Sequence, residues 1–248
     1  MKRVIEFNSY DEDVVTSPNQ EYKLNKRYRW VHVDPIWHLL SFVVYVIVLV
    51  IAFIYKLVRR ISYKNRKVLK ETYFIYGNHT SQFGDIFNPF LICFPRRPYI
   101  ICSPANLGIP IIGKILPLAG AVPIPDDIHD MLKFKKYIKY RMKKGNPIVI
   151  YPEAHIWPWY TGIREFTNVS FHYPSELNTK VYSMTTTYKK SKIFKKPNID
   201  IYIDGPFIKN EEINKKDNAE KFRLEVSNKM KTRSKLSNYS YITYKKKD

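Results

Sequence analysis

From residue 36 to residue 55 the chain reads IWHLLSFVVYVIVLVIAFIY, twenty positions without Asp, Glu, Lys or Arg. Wound as a helix, such a run is apolar on every face and rises about 30 Å, the thickness of a bilayer's hydrocarbon core. Trp30 and Trp37 near one end and Tyr55 at the other stand where interfacial aromatics belong, and Lys56, Arg59 and Arg60 close the C-terminal side. A helix apolar all round is unusual in a soluble domain, so the pattern predicts a membrane anchor over 36–58. Its C-terminal flank carries seven basic residues (Lys56, Arg59, Arg60, Lys64, Arg66, Lys67, Lys70) against four on the N-terminal flank (Lys23, Lys26, Arg27, Arg29). That excess puts the body of the chain on the cytoplasmic side of the cell membrane. A helix lying in one leaflet, with both ends cytoplasmic, satisfies the same flanks.

Beyond the anchor, short apolar runs at 72–77, 99–102, 121–124, 147–151, 181–187 and 199–203 read as strands. Helical stretches lie between them. The clearest covers 127–144, with Ile128, Met131, Phe134, Ile138 and Met142 near helical spacing, acids in its first turn, bases in its last, Gly145 behind it and Asp126 as its expected cap. Strands alternating with helices predict an α/β fold with a mixed, mostly parallel sheet flanked by helices, behind an N-terminal membrane helix. The expected organisation is a polar segment over 1–35, the anchor over 36–58, an α/β domain over 59–208, and a basic C-terminal helix and tail over 209–248. That last helix centres on 219–230 and is followed by a fraying end.

Composition narrows the partners. The 248 residues are 45% hydrophobic and 15% aromatic, which excludes a disordered chain. Forty-two Lys and Arg against 22 Asp and Glu give +20, which attracts either nucleic acid or an anionic membrane. No nucleic-acid module is present, so the anchor decides for the membrane, and part of the Lys excess reads as solvated surface. Cys93 and Cys102 lack metal or disulfide spacing and read as buried thiols in a reducing compartment. The opening MKRVIEFNSYDEDVV is polar and charged and predicts no signal peptide.

Three segments could carry chemistry. Residues 77–85, GNHTSQFGD, follow an apolar strand and place an imidazole near a carboxylate, the pair that strips a proton from a hydroxyl. A regular helix would put positions six apart out of register, so contact needs a turn, for which Gly84 could supply positive φ. Asn-His after a strand also fits a plain turn with a satisfied histidine. Residues 151–159, YPEAHIWPW, project Glu153 and His155 from a second strand end, where open α/β sheets bind ligands. The third segment is GAVPIP, residues 120–125.

In this order the segments resemble the glycerolipid acyltransferase family, typified by 1-acylglycerol-3-phosphate acyltransferases, over roughly residues 64–204. Asn78, His79 and Asp85 match that family's Asn-His…Asp motif, Gly120 and Ile124 its Gly-x-x-Phe-Ile-x-Arg strand, and Tyr151, Pro152, Glu153 and Ala154 its Phe-Pro-Glu-Gly block. The chain departs from the family in having five residues, not four, between His79 and Asp85. It has Asp126 where the family has arginine, His155-Ile156 in place of Thr-Arg, and no late Val-Pro segment. The resemblance implies a membrane-bound O-acyltransferase of phospholipid biosynthesis, moving a fatty acyl group from acyl-CoA or acyl carrier protein to a glycerolipid hydroxyl. No other cofactor or metal is implied. In that reading His79 is the base and Asp85 its partner, Asn78, Glu153 and Gly120 help bind substrate, and Arg164, with Lys114 second, is the candidate cation replacing the family's arginines. Two other readings stand: a non-catalytic membrane-tethered lipid-binding protein, and a metal-dependent hydrolase using His79, Asp85, Glu153 and His155.

Overall fold

The structure is a computed structural model and describes residues 3–15, 19–25 and 27–247, so Lys26 of the basic flank and part of the expected 1–35 segment lie outside the described residues. The chain opens with β1 (Arg3–Phe7) and the long helix α1 (Pro35–Arg59). The body runs β2 (Ile61–Lys64), β3 (Tyr73–Gly77), α2 (Gly84–Cys93), β4 (Tyr99–Cys102), α3 (Ile112–Ala119), β5 (Ala121–Pro123), α4 (Ile128–Lys143), β6 (Ile148–Ile150), α5 (His172–Leu177), β7 (Lys180–Lys189) and β8 (Asn198–Phe207). It closes with α6 (Lys215–Ser234) and β9 (Ile242–Lys246).

Seven strands form one sheet in the order β2-β8-β7-β3-β6-β4-β5, parallel throughout except between β7 and β8. The mixed, mostly parallel α/β architecture follows from strand composition. All five residues of β3 are buried, because helices cover both faces and a central parallel strand then reads as an unbroken apolar run. Tyr73 and Ile75 pack with Val149, Tyr182, Met184 and Ile92 of α2. Phe74 and Tyr76 face the other way, toward Ile148, Val181, Phe134 and Ile138 of α4, and Phe222, Val226 and Met230 of α6. Asp127, not Asp126, caps α4, its Oδ1 accepting from the backbone N–H of His129 at 2.7 Å. Cys93 is buried and Cys102 half-buried; both are free, and burial pushes each thiol up to about 12.

Helix α1 starts where Asp34 accepts from Trp37 N–H and Pro35 supplies the preset φ, and it ends at Arg60 in left-handed conformation. It packs against α2 and α3 along its length. Ser41 accepts from Arg97 Nη1 at 2.7 Å and donates to Leu118 O at 2.9 Å, while Tyr45 meets Phe90 and Tyr55 meets Phe87. The opposite face leaves Ile36, Leu39, Phe42, Val43, Ile47, Val50, Ile54 and Leu57 exposed.

The terminal segments differ from expectation. Trp30, expected at the bilayer interface, is buried against Phe134 and Tyr137 in the core. The tail does not fray after α6: β9 pairs in parallel with β1, and one aromatic side chain from each strand anchors the pair on the domain. Phe7 and Tyr244 both pack on the fully buried Trp157.

Candidate active site

The C-terminal ends of the adjacent parallel strands β3 and β6 deliver the two main motifs side by side. Gly77 ends β3 where a Cβ would lie 2.6 Å from both Met184 and Tyr151, so a larger residue there would have to displace those side chains. Asn78 is buried, its Nδ2 donating to Thr186 O and its Oδ1 accepting from Thr186 N–H. It ties the strand end to β7 and spends its amide on backbone, which takes it away from substrate.

The next residue, His79, has its ring on Tyr151 with centroids 4.8 Å apart, and its Nδ1 lies 2.8 Å from Asp85 Oδ2. Gly84 does not close this contact through positive φ; it begins α2. The turn is built by Ser81. Its Oγ accepts from Gly84 N–H, its carbonyl accepts from Asp85 N–H, and its own N–H donates to Asp85 Oδ2 at 2.9 Å. This is a capping box stretched by one residue, and it brings the carboxylate back over the loop to meet the imidazole despite five intervening residues. Gly84 matters by size, since a Cβ would sit 2.4 Å from Ser81 Oγ. Tyr151 completes the bracket by donating from its hydroxyl to Asp85 O at 2.7 Å.

Glu153 does not face open space. Its carboxylate accepts from His79 N–H at 3.0 Å, from Arg164 N–H at 3.0 Å and from Arg164 Nη2 at 3.2 Å, with both side chains 2% exposed. The Arg164 guanidinium is spent the same way: it also donates to Tyr10 O and His155 O and lies over the Trp157 ring. A buried arginine with these acceptors is not placed to grip a substrate phosphate; it neutralises Glu153, and Glu153 holds the backbone of the histidine. Lys114 is exposed on α3 without a salt-bridge partner among the described residues. Gly120 is buried and closes α3 at φ +108°, where a Cβ would meet Pro98 O at 2.8 Å. Its role is in the turn, not against substrate.

The N-terminal segment braces the same loops, a contact with no local signature along the chain. Trp157 donates from Nε1 to Glu12 O and from its backbone to His79 O, and His155 Nδ1 meets Asp13 Oδ1 at 2.5 Å. His79 therefore has both backbone groups held, its N–H by Glu153 and its carbonyl by Trp157. Burial raises the carboxyls of Asp85 and Glu153 above the ordinary range; the bonds from His79 and from Arg164, respectively, pull the other way.

With Asp85 accepting at Nδ1–H, the lone pair of His79 sits on Nε2, which has no partner among the described residues on a side chain 23% exposed. The arrangement can take a proton from a hydroxyl and return it. The four groups considered for a metal do not converge: His79 pairs with Asp85, His155 with Asp13 and Glu153 with Arg164, and among the described residues no cluster of three or more ligating side chains occurs.

The family profile described as Acyltransferase matches residues 59–187, just over half of the chain. Among solved structures, the chain is similar to the crystal structure of the 1-acyl-sn-glycerophosphate acyltransferase of Thermotoga maritima, at 13% identity and a TM-score of 0.45, over 78% of this chain and 94% of that one. No curated protein matches.

Proposed function

Since the chain belongs to the acyltransferase family, we propose that it moves a fatty acyl group from a thioester donor, acyl-CoA or acyl carrier protein, to a hydroxyl of a membrane glycerolipid such as 1-acylglycerol-3-phosphate, in phospholipid biosynthesis. The observation that carries this reading is the His79–Asp85 pair, closed at 2.8 Å with Nε2 open. Nε2 takes the proton of the acceptor hydroxyl as its oxygen attacks the thioester carbonyl. Asp85 holds the tautomer and stabilises the imidazolium. Collapse of the tetrahedral adduct breaks the C–S bond, and the departing sulfur takes the proton from Nε2, which restores the neutral histidine. Glu153, Arg164, Asn78 and Trp157 act as positioning residues for the backbone that carries His79.

The acceptor's place at a membrane is supported by α1. The two helices it packs on add exposed apolar residues of their own, Ile111, Ile112 and Ile115 around the start of α3 and Phe83 and Ile86 at α2. A helix seated lengthwise on two helices of the domain favours lying within the cytoplasmic leaflet over crossing the bilayer, and it keeps a lysolipid near His79.

The test is transfer of radiolabelled acyl chains by membranes carrying the full chain, offered a panel of lysolipids and both thioester donors. The wild-type chain should acylate at least one acceptor and His79→Ala should abolish it. Full transfer by His79→Ala would exclude this mechanism, and absence of transfer by the wild type would favour a lipid-binding protein.

A further inference from the structure

The two termini, which lie outside the residues matched by the family profile, build a cavity of about 430 Å³ against the loop that carries the dyad. Its lining includes Arg3 of β1, the aromatic pair Tyr239 and Tyr241 just before β9, and Gln82 and Trp159 from the two motif loops. Gln82 lies between His79 and Asp85 in the chain, and Trp159 donates from its backbone to Thr80 O at 2.8 Å. A ligand filling this space therefore shares a wall with the histidine loop. The volume is in the range of small-molecule sites.

We propose that this cavity binds the phosphopantetheine arm of the acyl donor; the proposal rests on the acyl-transfer reading. Among the described residues the lining includes no Asp or Glu, and Arg3 has no salt-bridge partner, so an anion at the β1 end meets an uncompensated guanidinium. The Trp159 ring is a fixed platform. Tyr188 and Tyr241 pack on it at 5.0 and 4.8 Å, and the Arg59 guanidinium lies 4.7 Å over it with a buried Nη2 that has no acceptor. Besides the cation the lining supplies the amide of Gln82, tyrosine rings and the aliphatic Val14 and Val15 of the N-terminal segment. The arm presents groups of matching kinds: a phosphate, a branched dimethyl carbon, two amides, and a terminal sulfur whose thioester must reach the acceptor oxygen. The cavity draws no wall from α1, α2 or α3, the apolar side from which a lipid acceptor arrives, so donor and acceptor approach the histidine from different sides.

The test is calorimetric titration of full-length His79→Ala protein in nanodiscs with coenzyme A, 4′-phosphopantetheine, pantetheine and adenosine 3′,5′-bisphosphate, alongside steady-state kinetics of the active chain. Coenzyme A and phosphopantetheine should bind, while pantetheine, lacking the phosphate, binds about tenfold more weakly or worse, the loss expected for one charge-assisted contact. Arg3→Gln and Tyr241→Ala should each weaken coenzyme A binding and raise the donor KM about tenfold while the acceptor KM holds, and Arg3→Lys should recover part of the loss. Acyl-CoA and acyl carrier protein present the same arm, so the Arg3→Gln rise is expected with whichever carrier is used. Binding of the bisphosphate but not of phosphopantetheine would overturn the assignment, because the nucleotide would then be the recognised part. An unchanged donor KM, or a rise confined to the acceptor KM, would overturn it as well. The titrations need no turnover: coenzyme A binding that Arg3→Gln weakens, in a chain that acylates nothing, would uphold the cavity and refute the acyl-transfer reading.

Discussion

Asp85 is 4% exposed and accepts from both His79 and Ser81, so its substitution separates chemistry from folding. Asp85→Asn should lower acyl transfer by about 10³–10⁴-fold, the scale seen when a histidine loses the carboxylate that sets its tautomer. Stability should move differently. Burial raises the Asp85 carboxyl, so the folded chain binds that proton more tightly than the unfolded chain, and this contribution is lost as pH climbs from the ordinary carboxylate range through the raised value. Asparagine has no such loss. Melting curves of wild type and Asp85→Asn should therefore shift in favour of the variant as pH rises above the ordinary carboxylate range. Gly84→Ala forces a methyl to within 2.4 Å of Ser81 Oγ and should cost about 1–3 kcal/mol, read from denaturant midpoints, with transfer falling as the Ser81 turn is displaced.

At the scale of elements, the loop after β6 is held from two directions, by the buried Glu153–Arg164 pair and by the N-terminal segment. Arg164→Met leaves Glu153 buried without a counter-charge and should cost about 3–5 kcal/mol near pH 8. The penalty should shrink toward acid pH, because burial has raised the Glu153 carboxyl and removing Arg164 takes away what opposes that rise. The double variant with Glu153→Gln should regain part of the stability in the same melts. Trp157→Phe keeps a ring in the cage of Phe7, Tyr10 and Tyr244 but deletes the bond to Glu12 O, and should cost about 1–2 kcal/mol. As a positioning change it should lower kcat more than it raises either KM.

For the whole molecule, the disposition of α1 has a direct readout. If the helix lies in one leaflet, single cysteines placed at Val33 and Lys64, on either side of it, should react with an impermeant maleimide from the same face of sealed vesicles. Labelling from opposite faces would mean that it spans. Lysine at Ile47 and Val50, both on the exposed side, should reduce co-flotation with liposomes while leaving the melting temperature close to that of the wild type.

Much of this was readable along the chain because its cause is local. The uncharged run of α1 stands out by composition. The central strands β3 and β6 show as unbroken apolar runs because both of their faces are buried. His79 and Asp85 stand six positions apart in one loop. What only tertiary structure decided involves partners far apart in sequence. Glu12 meets Trp157 across 145 positions and Asn78 meets Thr186 across 108, and no local period encodes either contact. The tail reads as frayed until β1 is beside it, Trp30 reads as interfacial until α4 covers it, and Arg164 reads as a free cation until Glu153 is found in contact with it. The sequence determined which candidate groups for the chemistry the chain carries, and that it has an apolar helix. Folding decided how those groups are disposed, because burial and long-range hydrogen bonding commit Asn78, Glu153 and Arg164 to the backbone that holds His79 and leave its Nε2 without a partner among the described residues.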